Sequence, residues 1–141
     1  MKRIIGVIFL AIMLLLVSSG CSEVELDYNQ KVAYDTLKNA TCFSEGPVGR
    51  GGVMSEETEA YAQLMKARNA KAAFIKLYNE ATNAGKLYAL CAFYSLDYGR
   101  YKRELKNLMN DDSPVSIQSG CIMGKYKLKE IMKNDSPNTI R

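Results

Sequence analysis

The chain has 141 residues, with 19 Lys and Arg against 15 Asp and Glu for a formal charge of +4, and it contains no histidine. Without imidazole, Ser-His-Asp and Cys-His catalysis, histidine zinc sites and histidine acid–base chemistry are all excluded. Any chemistry would rest on carboxylates, tyrosine, lysine or cysteine, and so small a positive charge demands no nucleic-acid partner.

Met1, Lys2 and Arg3 precede an uncharged apolar run from Ile4 to Val17, and the small residues Ser18, Ser19 and Gly20 lead to Cys21. This is the three-part form of a secretion signal. The fourteen residues Ile4 to Val17 fall short of the roughly 20 that a membrane-spanning helix needs, so residues 1–20 are expected to be cleaved rather than retained.

The run Val17-Ser18-Ser19-Gly20-Cys21 resembles the lipobox of bacterial lipoproteins, with Ser18 standing where leucine is commoner. The resemblance implies that the Cys21 thiol receives a diacylglyceryl group and that cleavage then makes Cys21 the N-terminus. One acyl chain holds a protein only marginally, and the two or three typical of the class make anchoring stable. Membrane lipid is therefore the partner implied at Cys21, with the domain facing the periplasm. Ser22, where aspartate would imply the inner membrane, points to the outer membrane if the cell is Gram-negative. Lys2 and Arg3 leave with the signal, so the balance falls to +2 over 121 residues, enough for one domain.

In chain order, residues 21–27 read as a lipidated polar tether. Ala33, Leu37 and Ala40, with Tyr34 beside them, predict a short helix over Tyr28 to Ala40. Thr41 to Val53, with Gly46, Pro47, Gly49, Gly51 and Gly52, reads as a loop. Ser55 is a candidate N-cap followed by Glu56, Glu57 and Glu59, and Tyr61, Leu64 and Met65 form the apolar stripe of that helix. Asn69 opens a further helix carrying Phe74, Leu77, Tyr78 and Ala81, with Asn83-Ala84-Gly85 as its stop. Leu87 to Tyr94 is unbroken apolar sequence and predicts a helix buried on most sides. Tyr101, Leu105, Leu108 and Met109 give one more amphipathic helix, ended by Asn110 to Pro114. Val115, Ile117 and Ser119 alternate with polar residues in an extended segment, a last helix runs from about Lys125 to Lys133, and residues 134–141 read as a frayed tail.

These elements predict a mostly α fold: a single domain over residues 28–133, built as a small bundle of antiparallel helical hairpins with a short extended segment near the C-terminus. The hairpins resemble HEAT-type pairs in the loose sense of small-residue helices packed side by side. The stretch from Gly51 through Cys121, with its YALC and SGC segments, is similar to uncharacterised small secreted bacterial proteins, some associated with microcin gene clusters. That resemblance implies no catalytic motif.

The glycine-rich loop around Arg50 lacks the Lys-Ser/Thr ending of a phosphate-binding loop, and three glutamates follow it. It reads as a connector, with Arg50 a candidate partner contact. Tyr94, Tyr98 and Tyr101 fall at i, i+4 and i+7 among Arg100, Lys102 and Arg103, as in surfaces that meet protein or glycan partners, although tyrosines at helical spacing commonly serve the core. Adjacent carboxylates Glu56-Glu57 and Asp111-Asp112 point apart and serve caps and turns better than acid–base catalysis. Lys125, Lys127, Lys129 and Lys133 make the last helix basic, a solvated face or a contact with anionic head groups. Export to an oxidising compartment predicts one disulfide among Cys42, Cys91 and Cys121. Cys91, within the central helix, is expected to pair with Cys121 beyond Gly120 on the extended segment, and the pairings through Cys42 remain open alternatives. The expected function is a cell-envelope lipoprotein acting by binding or structural presence, not an enzyme, with no metal or cofactor. An immunity or exclusion protein is the first alternative and a carboxylate-based envelope enzyme the second.

Overall fold

A computed structural model describes residues 24–134 of the chain. The expected signal over residues 1–20, the lipidation position Cys21, and residues 135–141 of the expected tail lie outside the described residues. Among the described residues, six helices and three strands follow one another: α1 (Tyr28–Lys38), β1 (Phe43–Val48), α2 (Glu56–Met65), α3 (Ala70–Glu80), α4 (Asn83–Leu96), α5 (Tyr98–Leu108), β2 (Pro114–Gly120), β3 (Ile122–Lys127) and α6 (Leu128–Asn134). The fold is mostly helical with a small mixed sheet in the order β1-β2-β3, parallel between β1 and β2 and antiparallel between β2 and β3. No described helix is long and apolar enough to cross a membrane.

Local chemistry sets most helix starts. Asp27 and Gln30 form a reciprocal capping box at the head of α1, satisfying two of the backbone donors that a helix start leaves unpaired. Ser55 Oγ accepts from the Thr58 amide at 3.2 Å and caps α2. Glu56, Glu57 and Glu59 then add negative charge at the positive end of its dipole. Asn69 occupies the N-cap position of α3, but its side chain makes no capping bond.

The segment Asn83-Ala84-Gly85, expected to stop a helix, instead opens α4. The preceding helix already ends at Glu80, where Ala81 turns extended, and Thr82 caps α4 by accepting from the Gly85 amide at 3.2 Å. The Thr82 hydroxyl also donates to the Ala40 carbonyl at 2.6 Å, and the Thr82 amide donates to the Lys38 carbonyl at 3.1 Å. These bonds draw the end of α1 onto the start of α4. Gly85 is needed there because a Cβ would run into the Leu37 carbonyl oxygen and come within 2.6 Å of Ala81 Cβ. The glycine serves close approach between backbones and has no terminating role.

Helix α4 is the centre of the core, as its unbroken apolar run predicts: Leu87, Tyr88, Ala89, Leu90, Ala92 and Phe93 are all buried. Phe74 and Leu77 from α3, Leu37 from α1, Leu64 from α2 and Leu128 from α6 are fully buried with it. From the sheet, Val115 and Ile117 of β2 turn inward, following the alternation of side chains along a strand.

Two sheet strands depart from the sequence reading. The segment read as loop contains β1, whose Phe43, Ser44 and Glu45 pair with Ile117, Gln118 and Ser119 before the register shifts ahead of Val48. Gly46 lies in that shift with φ +74°, so the bulge absorbs both the glycine and Pro47, residues that a regular strand interior would exclude. On its other side, β1 is closed by Tyr88, whose hydroxyl accepts from the buried Ser44 amide at 3.0 Å. The second departure is β3: Ser119 faces Ile122 across a two-residue turn opened by Gly120 at φ +56°, the geometry that favours hairpins. Residues Lys125 to Lys127, expected in the last helix, therefore lie in a strand, and α6 begins only at Leu128. Val24 and Leu26, within the segment read as a tether, are partly buried against the core.

Candidate functional site

A groove of about 550 Å³ opens between α1 and α3, with Val24, Glu25 and Leu26 forming one wall. Along α1 the capping box at Asp27 fixes the helix phase, which places Lys31, Tyr34, Asp35 and Lys38 on its rim; Lys76 and Glu80 of α3 stand opposite. A tied network spans it: Glu80 Oε2 receives Lys38 Nζ at 3.0 Å and the Tyr34 hydroxyl at 3.2 Å. Lys38 holds the Glu80 carboxyl below the usual carboxylate range, the hydrogen bond contributing most. Burial, and then the charge of Glu80, pushes the Tyr34 phenol well above its ordinary value, so it stays a neutral donor. Lys76 Nζ lies 5.8 Å from the centre of the Tyr34 ring, within reach of a cation–π attraction. Neither Glu25, Asp35, Lys31 nor Lys76 takes part in an ion pair among the described residues. The groove therefore offers two cations and two carboxylates to a ligand.

The three tyrosines, read from the sequence either as core residues or as a possible partner surface, come together at the junction of α4 and α5. Tyr94 meets Tyr98 and Tyr101 edge-on at 5.6 and 5.2 Å, and Tyr98 stacks on Tyr101 at 5.7 Å. Tyr101 is buried, Tyr94 half-buried, and Tyr98 is 53% exposed with Lys102 Nζ 5.2 Å from its ring centre. The cluster thus divides between core and surface, and Tyr98 alone of the three presents a large ring to solvent. Arg50 belongs to a different place. It is exposed on the turn after β1, which the Gly49 amide fastens to the Gly120 carbonyl at 3.0 Å.

No protein-family model, curated protein or solved structure matches the chain.

The expected Cys91–Cys121 disulfide is not formed, and none of the three described cysteines is in a disulfide. Burial along β2 fades after Ile117. Cys121 lies exposed at the tip of the hairpin, about 20 Å along the strand from Pro114. It is Pro114 that meets α4, accepting from Asn83 Nδ2 at 2.8 Å. Cys91 lies on α4 near Tyr61 and Tyr101 instead. Cys42 is buried before β1, where burial pushes its thiol pKa up.

The basic C-terminal stretch is partly neutralised, since Asp112 takes Lys127 at 3.2 Å and Lys129 at 2.6 Å. One charged group escaped the sequence reading altogether. Glu104 is buried on the inner face of α5, with Arg100 and Arg103 Nε at 3.7 and 3.8 Å and Asn107 Nδ2 donating at 3.1 Å. Burial, then the charge of Glu104, pushes Tyr78 up to about 12. The Arg100–Glu104 spacing of i, i+4 was the available signal, and a hydrogen bond between Glu104 and the Tyr78 side chain links α5 to α3.

Proposed function

We propose that the chain is a bacterial cell-envelope lipoprotein whose small helical domain works by binding, held at the membrane through acylated Cys21. The observation that carries this reading is the sequence Val17-Ser18-Ser19-Gly20-Cys21 behind a basic and then apolar leader. Val24, three residues after Cys21 in the sequence, already lies against the core. A domain tethered so closely is confined near the bilayer whatever it binds. A polar concavity, the groove between α1 and α3, is walled in part by Val24, Glu25 and Leu26, which follow closely on Cys21 in the sequence. The groove's pairing of fixed charges with an apolar wall suits recognition of a small charged ligand.

The anchor is tested with Cys21→Ser. Because thiol alkylation precedes cleavage in lipoproteins, the variant should lose all fatty-acid label and accumulate either as an uncleaved precursor or as a soluble product. Equal incorporation of labelled fatty acid into wild type and variant would refute the reading.

A further inference from the structure

We propose that the groove between α1 and α3 binds the phosphoethanolamine head group of a membrane phospholipid, with Lys31 and Lys76 at the phosphate and Glu25 and Asp35 at the ammonium. The choice of a lipid rests on the anchored reading above; the choice of a zwitterion does not.

The charge pattern selects the ligand class. Glu80 is already engaged by Lys38 and Tyr34, so it offers little to an incoming group. What remains on the rim is two cations and two carboxylates without ion-pair partners among the described residues. A plain anion would meet Glu25 and Asp35, and a plain cation would meet Lys31 and Lys76, so each would be repelled by half the rim. A molecule with an anionic and a cationic end satisfies both halves, and charge-assisted hydrogen bonds to each end are the stronger kind. A primary ammonium can donate such bonds to the carboxylates, and a quaternary ammonium cannot. Val24 and Leu26 supply an apolar wall against which the glycerol end can lie.

Position selects the source. Three peptide units separate Cys21 from Val24, a reach of at most about 10 Å when fully extended. With Cys21 acylated, the wall of the groove would be held within that distance of the lipid head groups, where their effective concentration is high.

The test titrates the purified full chain, in a non-ionic detergent, with phosphoethanolamine, phosphocholine and inorganic phosphate, following the amide resonances of residues 31–38 and 76–80. Phosphoethanolamine should give saturable shifts, with affinity about tenfold weaker for phosphocholine and for phosphate alone. Lys76→Ala and Glu25→Gln should each weaken phosphoethanolamine binding about fivefold or more. Both are surface changes, and unaltered circular dichroism would show that the variants fold. Absence of saturable phosphoethanolamine binding, or an equal response to phosphocholine, would overturn the site. A second arm measures hydrogen exchange of the same amides with the chain on vesicles of phosphatidylethanolamine and phosphatidylglycerol, against phosphatidylcholine and phosphatidylglycerol. Slower exchange on the ethanolamine vesicles supports the lipid source; no difference overturns it and assigns the groove to a soluble zwitterion. The mass of the N-terminal peptide, read separately, reports whether Cys21 is acylated, so a failed anchor and a failed groove give different results.

Discussion

Replacing Gly85 by alanine sets two effects of opposite sign against each other. Gly85 lies in the first turn of a 14-residue helix, and by helix propensity alone alanine there should stabilise the protein by up to about 1 kcal/mol. The added methyl, however, would collide with the Leu37 carbonyl oxygen and sit 2.6 Å from Ala81 Cβ. The oxygen belongs to backbone near the end of α1, which the bonds from Thr82 to the Lys38 and Ala40 carbonyls hold in place. Relief therefore means prising α1 from α4 and straining those bonds. Overpacking costs about 1–3 kcal/mol where neighbours can shift, and more where they cannot. A net loss of about 2 kcal/mol is expected, which at an ordinary urea dependence lowers the midpoint of unfolding by about 1 M. Urea titration followed by circular dichroism measures it directly. A midpoint at or above that of the wild type would show that α1 and α4 do not approach as closely as described.

Tyr88→Phe should cost about 1–3 kcal/mol, because it strands the buried Ser44 amide that donates to the phenol at 3.0 Å; an unchanged urea midpoint would mean that β1 is not closed by α4. The carboxyls of Glu80, Asp97, Asp111 and Asp112 are all held below their ordinary pKa, first by hydrogen bonds from Lys38, Lys71, Ser113 and Lys129 respectively. Depressed folded-state values give stability that is present above the unfolded pKa of about 4 and lost as pH falls through the folded values. The melting temperature should therefore hold from pH 7 to about 5 and decline below about 4, and Asp97→Asn should reduce that decline; a melting temperature that rises on acidification would refute the sign. With a small thiol reagent, Cys121, exposed at the hairpin tip, should react first and Cys42 last, since burial both shields it and raises its pKa. Peptide mapping of the partly alkylated protein reads the order, and early labelling of Cys42 would contradict the placement of β1.

Sequence by itself determined the features that short-range energetics control. Ser55 with its following glutamates marks a helix start because cap and dipole lie within one turn. The run from Leu87 to Tyr94 marks the central helix because so continuous an apolar stretch has to be buried. The Asp27–Gln30 capping box is equally local, since both of its bonds close within three residues. The mostly helical class and the inward alternation of Val115 and Ile117 follow from periodicity of the same kind. The proposed leader and the resemblance of the run ending at Cys21 to a lipobox rest on residue order alone.

Tertiary structure alone decided what depends on partners distant in sequence. Phe43 to Val48 contains glycine and proline and has little strand tendency of its own; it becomes β1 because β2, some seventy residues later, offers a ladder and Tyr88 satisfies its far side. Lys125 to Lys127 join β3 because the Gly120 turn brings them against β2, outweighing helical periodicity. Gly85 resembles a stop signal until the Leu37 carbonyl is seen beside it. The groove, too, exists only in three dimensions: Glu25, Lys31 and Asp35 are near neighbours in the chain, but Lys76 and Glu80 reach them only because α3 packs beside α1. Capping and amphipathicity act over a turn or two of chain, whereas strand pairing, close backbone approach and the meeting of charges across a groove are fixed by the fold as a whole.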